Sequence, residues 1–162
     1  SIKSLITFIE AEITRIDELI KSHIDNDSVL KSQKDLLKSI PGIGDTTASV
    51  VLAELPGIEK FEKVNKLVAF VGLSPREHSS GSSVRGKPTI SKVGNFRLRK
   101  ALYMPALIAK FRNPAVHALC ERLEAKGKSS KTIICACMTK LLHIIFGVLK
   151  TQTPFDPMLH LV

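Results

Sequence analysis

The residue types able to do chemistry concentrate in one stretch of this 162-residue chain, between Gly72 and Tyr103. There Ser79, Ser80, Ser82 and Ser83 stand among seven cations, Arg76, Arg85, Lys87, Lys92, Arg97, Arg99 and Lys100, with Glu77 the single acid. A serine hydroxyl is a weak nucleophile until a base removes its proton or nearby cations stabilise the alkoxide and the transition state. Arginine takes phosphate oxygens in bidentate fashion and lysine acts as a point charge, so this cation set fits a phosphate ligand. The Ser80-Gly81 pair adds exposure and room for close approach. On composition alone, small-residue loops of this kind are more often linkers or phosphate clamps than nucleophile sites. Arg97, Arg99 and Lys100 cannot all share one helical face, so some of them must pack or face solvent. His78 is near enough in sequence to be considered as a base, although a solvated or phosphate-facing imidazole is the plainer reading.

Charge distribution supports a phosphate-rich partner. The chain carries a net +9; residues 74–131 hold thirteen Lys and Arg against three Asp and Glu, and the remainder holds eleven against twelve. Excess charge confined to one central stretch is the footprint expected of a protein that neutralises phosphates and releases their counterions. Hydrophobic residues make up 44% of the chain, enough for a core, while 5% aromatics and no Trp disfavour stacking on many rings. Cys120, Cys135 and Cys137 sit in apolar helical surroundings, an arrangement that suits neither a disulfide framework nor a zinc site. They read as reduced, buried thiols of a cytoplasmic protein. No apolar run reaches the roughly 18 residues of a membrane span and no signal peptide is visible, so no membrane partner is expected. The chain begins inside a helical pattern and reads as part of a longer protein.

The elements that must position these residues are helical. Ile2, Ile9 and Ile16 share one heptad position and Leu5 and Leu19 another, widened by Ile6, Ile13 and Ile20, which predicts an amphipathic helix over 2–24 fit for a coiled coil. Asp25-Asn26-Asp27-Ser28 breaks it and caps the next helix. Leu36 to Ala48, with Ile40-Pro41-Gly42-Ile43-Gly44 at its centre, resembles the helix-hairpin-helix motif of DNA repair and recombination proteins. Pro41 ends the first helix. Gly42 and Gly44 permit the tight turn and leave backbone bare for a phosphate, and Thr46 joins the free N–H groups of the second helix. Further helices are predicted from Phe61 to Gly72, from Phe96 to Lys110 behind an Asn95 cap, from Pro114 to Ala125, and after Gly127 to Leu149. Between Leu73 and Val93 no periodicity survives, and loops of that length are usually functional or disordered. Tyr103, Met104, Met138 and Met158 read as packing residues, and His117 and His143 as packed histidines.

From about Leu36 to Asp156, roughly three quarters of the chain, these motifs resemble the C-terminal transposase domain of the DEDD insertion-sequence transposases, the bridge-RNA-guided serine recombinases. The resemblance is carried by the 40–44 hairpin, Gly72-Leu73-Ser74-Pro75-Arg76 and Ser80-Gly81-Ser82-Ser83-Val84-Arg85-Gly86. It continues through Ser91-Lys92-Val93-Gly94, Leu98-Arg99-Lys100-Ala101-Leu102-Tyr103-Met104-Pro105-Ala106 and Gly147-Val148-Leu149-Lys150. Residues 2–24 are similar to the coiled-coil segment that precedes this domain. The resemblance implies an all-α domain, divided into a coiled-coil segment at 1–28 and the transposase domain at 29–162. Within the latter, the helix-hairpin-helix falls at about 34–55 and a long basic Ser/Gly catalytic loop at about 73–94. It implies that Ser80 attacks a DNA phosphodiester, with a divalent metal, Mg, held by an N-terminal RuvC-like domain that this chain lacks. No metal ligands or cofactors are expected here, and the fragment alone should be inactive. Expected partners are DNA, a guide RNA and further copies of the chain through the N-terminal helix. Gly42, Gly44, Thr46, Arg76, Arg85, Lys87, Lys92 and Arg99 are the expected nucleic-acid contacts; Arg85 and Lys92 rest on charge and position. The alternative is a non-catalytic helix-hairpin-helix module that only binds nucleic acid.

Overall fold

The computed structural model describes residues 1–76, 79–80, 84–85 and 89–160, and only the backbone course of Ser79, Ser80, Val84, Arg85 and His160. Among the described residues the fold is all-α, as expected. The order is α1 (Ile2–Asp25), α2 (Ser28–Lys38), α3 (Asp45–Glu54), a 3₁₀ turn (Ile58–Lys60) and α4 (Val64–Val71). Four two-residue strands follow, β1 (Pro75–Arg76), β2 (Ser79–Ser80), β3 (Val84–Arg85) and β4 (Thr89–Ile90). Then come α5 (Phe96–Arg112), α6 (Pro114–Ala125), α7 (Ser130–Thr151) and α8 (Pro157–His160).

Local chemistry sets the helix ends. The Asp27 carboxylate accepts from the Val29 and Leu30 N–H groups and starts α2. Asn95 does the same for α5 through Leu98, and Gly72 closes α4 in the left-handed conformation. Asn113 serves both sides of a corner. Its N–H donates to Ala109 at the end of α5, and its Oδ1 accepts from Ala115 and Val116 at the start of α6. Its Nδ2 also donates to the Pro41 carbonyl at 3.4 Å, so this fully buried amide ties the α2–α3 hairpin to the α5–α6 corner. The helix predicted from Phe61 starts later: Phe61 ends the 3₁₀ turn and packs edge-on against Phe70 at 5.5 Å between ring centres.

Helix α7 is the axis around which α2, α4, α5 and α6 assemble. Leu141, Leu142, Ile144 and Ile145 on α7 are fully buried, as are Leu98 and Leu102 on α5, each worth about 1.5–3 kcal/mol of transfer free energy. This helix departs from one expectation. It is 22 residues long with a mean hydropathy of 2.0 over its best window, enough by length and composition to cross a membrane. Single polar residues interrupt the apolar run yet leave its mean high, and half of that window is buried inside the protein.

Helix α1 projects from this body. Only Ile24 is buried; Ile2, Ile6, Ile9, Ile13, Ile16 and Ile20 are all 42% exposed or more. The stripe expected to form a coiled coil therefore has no partner among the described residues.

Candidate active site and nucleic-acid interface

The 73–94 segment is more ordered in plan than a loop. β1 pairs antiparallel with β4, Pro75 opposite Ile90 and Arg76 opposite Thr89. β2 pairs antiparallel with β3, Ser79 opposite Arg85 and Ser80 opposite Val84. The two ladders are nested in sequence, giving a two-tier arm with Ser80 and Arg85 on the outer tier. Pairs of two residues carry no alternation that a periodicity argument could detect, which is why the strands were not legible.

The arm's root is a tight neck between the end of α4 and the start of α5. The Lys92 N–H donates to the Gly72 carbonyl at 3.0 Å, Ser91 N–H to Ser74 at 2.8 Å, and Asn95 N–H to Phe70 at 2.7 Å. Backbones approach this closely because Gly72 (φ +78°) and Gly94 (φ +143°) lack side chains: a Cβ on Gly94 would strike the Phe70 carbonyl oxygen, and one on Gly72 would lie 2.9 Å from the Val93 carbonyl oxygen. Lys92 itself takes the left-handed φ of 56°, an uncommon conformation for a residue with a side chain.

The expected cations divide by role. Arg99 turns inward: its Nη1 donates to the Val71 carbonyl at 2.7 Å, capping α4, and its guanidinium lies 5.8 Å from the Phe96 ring centre. Arg76 and Lys92 are exposed beside the arm's inner tier. On α7, burial pushes the Cys135 thiol up, and the Lys92 charge pulls against that shift. Arg85 is described in its backbone alone, and Lys87 lies outside the described residues. Glu54 completes the neck: it accepts from Asn95 Nδ2 at 2.9 Å and pairs with the exposed Arg97 at 3.6 Å. Sequence reasoning missed Glu54, since its partners lie some forty residues away and no local spacing announces them.

At the hairpin, Gly42 has φ +106°, and a Cβ there would meet the Pro105 carbonyl oxygen at 2.9 Å and Ala109 Cβ at 3.0 Å. The turn thus rests on α5, with Ile40 and Ile43 buried beneath it. Gly44 and Thr46 face outward. Between them Asp45 occupies the first turn of α3 and bridges the ammonium groups of Lys34 and Lys38, each at 3.2 Å. Lys38 first, then Lys34, holds the Asp45 carboxyl below its ordinary value. The anion-favouring start of α3 is therefore served by the protein's own carboxylate.

Five packing expectations are corrected. Tyr103 is 49% exposed, Met104 60% and, on the short α8, Met158 77%; on α5 apolar residues and cations are interspersed around the helix, so its period could not say which side is buried. His117 is half exposed, its Nδ1 2.9 Å from the Lys110 carbonyl oxygen and its Nε2 3.5 Å from Glu121. His143 is exposed on α7, and the adjoining apolar surface and Lys140 hold its pKa down. Met138, Cys120 and Cys137 are buried as expected, the two sulfurs 2.9 Å apart across α6 and α7.

Comparison with known proteins gives a consistent set of relatives. A family model described as Transposase IS116/IS110/IS902 family matches residues 34–121, from α2 into α6. The chain is similar to the pilin gene-inverting protein of Moraxella bovis, 39% identical over 149 residues that cover 91% of this chain and 46% of that protein. It is also similar to the transposase for insertion sequence element IS1111A of Coxiella burnetii, 37% identical over 105 residues, 62% of this chain and 28% of that protein. A probable family 20 transposase of Pseudomonas aeruginosa is 24% identical over 165 residues, 96% of this chain and 46% of that protein. The chain spans less than half the length of each of these relatives.

Proposed function

From the premise that the chain belongs to the transposase IS116/IS110/IS902 family, we propose that it is the strand-exchange half of a DNA transposase with Ser80 as nucleophile. The observation that carries this reading is the arm. It sets Ser80 on the outer of two short strand pairs, above a glycine neck and beside exposed cations. In the step proposed, the Ser80 hydroxyl loses its proton and its oxygen bonds to a backbone phosphorus. One ester oxygen leaves that phosphorus and takes up a proton. Attack on the serine–phosphate link by a hydroxyl of another strand rejoins DNA and releases the serine, so no nucleotide is consumed. Arg76, Arg85, Lys87 and Lys92 serve as phosphate contacts. Arg99 acts through the neck it braces, and Gly44 and Thr46 offer a second, weaker phosphate contact beside Asp45.

A divalent metal, Mg, belongs in this reading to a RuvC-like half of the full protein. Among the described residues no three His, Cys, Asp or Glu side chains converge. Among the described residues Glu54, at the arm's root, is committed to Asn95 and Arg97. No step is routed through a metal on this chain. A guide RNA selecting the DNA, a cytoplasmic location, and self-association through the unpartnered isoleucine stripe of α1 complete the proposal.

The test is an assay for SDS-resistant protein–DNA adducts with the full parent protein, guide RNA, donor and target DNA. The adduct should vanish in Ser80→Ala and persist in Ser79→Ala. An adduct that survives Ser80→Ala, or that never forms, would leave the chain as a non-catalytic nucleic-acid-binding module. Sedimentation of an Ile13→Asp variant at unchanged mass would remove α1 as the association surface.

A further inference from the structure

Helix α5 is apolar on both sides. Leu98, Leu102, Ala106 and Ala109 are buried against α7 and α3, and Phe96, Tyr103, Leu107 and Phe111 fall within about 80° of one another on the opposite face. A helix apolar all round is normally enclosed, yet Phe96 is 62% exposed and Phe111 77%. Four aromatic rings of the described chain are strongly exposed, and three of them, Phe96, Tyr103 and Phe111, share this face. Tyr103, Leu107 and Phe111 open onto a groove of about 570 Å³ whose far wall is Ile133, Ile134 and Met138 of α7.

Charge decides what kind of partner fits. Helix α5 carries five cations, Arg97, Arg99, Lys100, Lys110 and Arg112, and no acid. Lys100 lies within the ring face and Lys131 on the groove's rim, both exposed. Arg99 stands over the Phe96 ring and Lys110 over the Phe111 ring, each 5.8 Å from the ring centre, placing positive charge against one face of each exposed ring. Lys110 is paired with Glu124 at 2.6 Å and Arg97 with Glu54, which leaves Lys100 and Lys131 as the exposed cations that set the sign of the face. An apolar surface with net positive charge at its border complements flat apolar groups carried on a polyanion, which are the unpaired bases of a nucleic acid strand. The face is also continuous with the arm. Phe96 follows Asn95 in the neck, and Cys135, on the groove's wall, feels the charge of Lys92. The rings are spread over about 22 Å of helix, room for several bases in succession.

We propose that the Phe96–Tyr103–Phe111 face of α5, with the α5–α7 groove, holds unpaired nucleotides of the strand that reaches the Ser80 arm. This deepens the function proposed above and rests on it for the identity of that strand. Ring stacking supplies the affinity and the flanking cations the phosphate contacts, so the face favours single strands over duplex, whose bases are already stacked and paired.

Fluorescence anisotropy of the 162-residue chain with a labelled oligothymidylate, and with a duplex of equal length, tests this directly. Phe111→Ala, Tyr103→Ala and Phe96→Ala should each weaken single-strand binding about 5- to 150-fold, the range for loss of one stacked base. Duplex binding should hold, and Phe111→Trp should bind the single strand at least as well as the parent. The equally exposed Phe8→Ala on α1 should change neither affinity. All four side chains are exposed, so circular dichroism should confirm folding of every variant. Single-strand affinity unchanged by the α5 variants, or loss shared equally by duplex, would overturn the proposal. So would a fall in sedimenting mass with binding intact, which would assign the face to a protein partner. The adduct assay with Ser80→Ala reads the catalytic proposal independently, so either reading can fail while the other stands.

Discussion

Replacing Gly94 with alanine should loosen the root of the arm while leaving the helices that carry it folded. Gly94 sits at φ +143°, and entering a positive-φ region costs a residue with a Cβ about 1–2 kcal/mol. The new methyl would strike the Phe70 carbonyl oxygen and come within 2.9 Å of the Gly72 nitrogen. Both are backbone atoms, so the neck must open. Opening loosens the Asn95-to-Phe70 and Lys92-to-Gly72 hydrogen bonds, each worth about 0.5–1.5 kcal/mol net. A stiffer unfolded chain returns about 0.4–1 kcal/mol. The balance is a loss of about 1–5 kcal/mol, which for a chain of this size lowers Tm by roughly 2–20 °C. Gly44→Ala is the control. Gly44 has φ −101° and open space where the Cβ would go, so its cost should stay under about 0.5 kcal/mol. Differential scanning calorimetry of both variants reads the difference, and in the full parent Gly94→Ala should also lower adduct yield. Equal melting temperatures for the two variants would refute the neck as the arm's anchor.

Two further outcomes follow from the geometry. Asn113→Ala should cost about 1–3 kcal/mol in urea unfolding, because it leaves the Ala115 and Val116 N–H groups and the Pro41 carbonyl oxygen without their buried partner; a change below about 0.5 kcal/mol would show that the corner does not depend on it. Asp45, whose folded pKa is lowered from 3.8 by Lys38 and Lys34, should stabilise the fold fully above that value and lose its contribution as pH falls through the lowered one. Asp45→Asn should therefore flatten the acid limb of the stability profile, by under about 1 kcal/mol since the carboxylate is exposed. Parallel acid limbs for parent and variant would sink that assignment.

The helices were legible because their ends are marked by residues with one physical job. Asp27, Asn95 and Asn113 accept the free N–H groups of a first turn, and Gly72 takes the left-handed closing conformation. What the sequence could not reveal is tertiary. Tyr103 has Ala106 and Leu107 one turn on but Arg99 and Lys100 one turn back, so its exposure was decided by where α7 lies. Arg99 reads as one more cation among seven, and only the fold shows its guanidinium on the Val71 carbonyl. The hairpin pattern was readable at Pro41 and Gly42, while its packing on Pro105 and Ala109 depends on residues more than sixty positions away. As for the candidate site, its serines and cations were visible as composition, and the strand pairing that spaces them was not.

The central place of α7 sets the order in which this chain can acquire structure. Nine of its side chains are buried, and they complete the apolar faces of α2, α4, α5 and α6, all of which are synthesised earlier. Until Ile133 to Leu149 emerge, those faces have only one another to meet. The hairpin, the neck and the α5–α6 corner would thus settle late and together, as expected where stabilising contacts span long stretches of sequence. A nascent chain stalled before Ser130 presents exposed apolar helices beside a basic arm, a state suited to capture by chaperones or proteases. Whatever the domain contributes would then be confined to chains whose synthesis has passed α7.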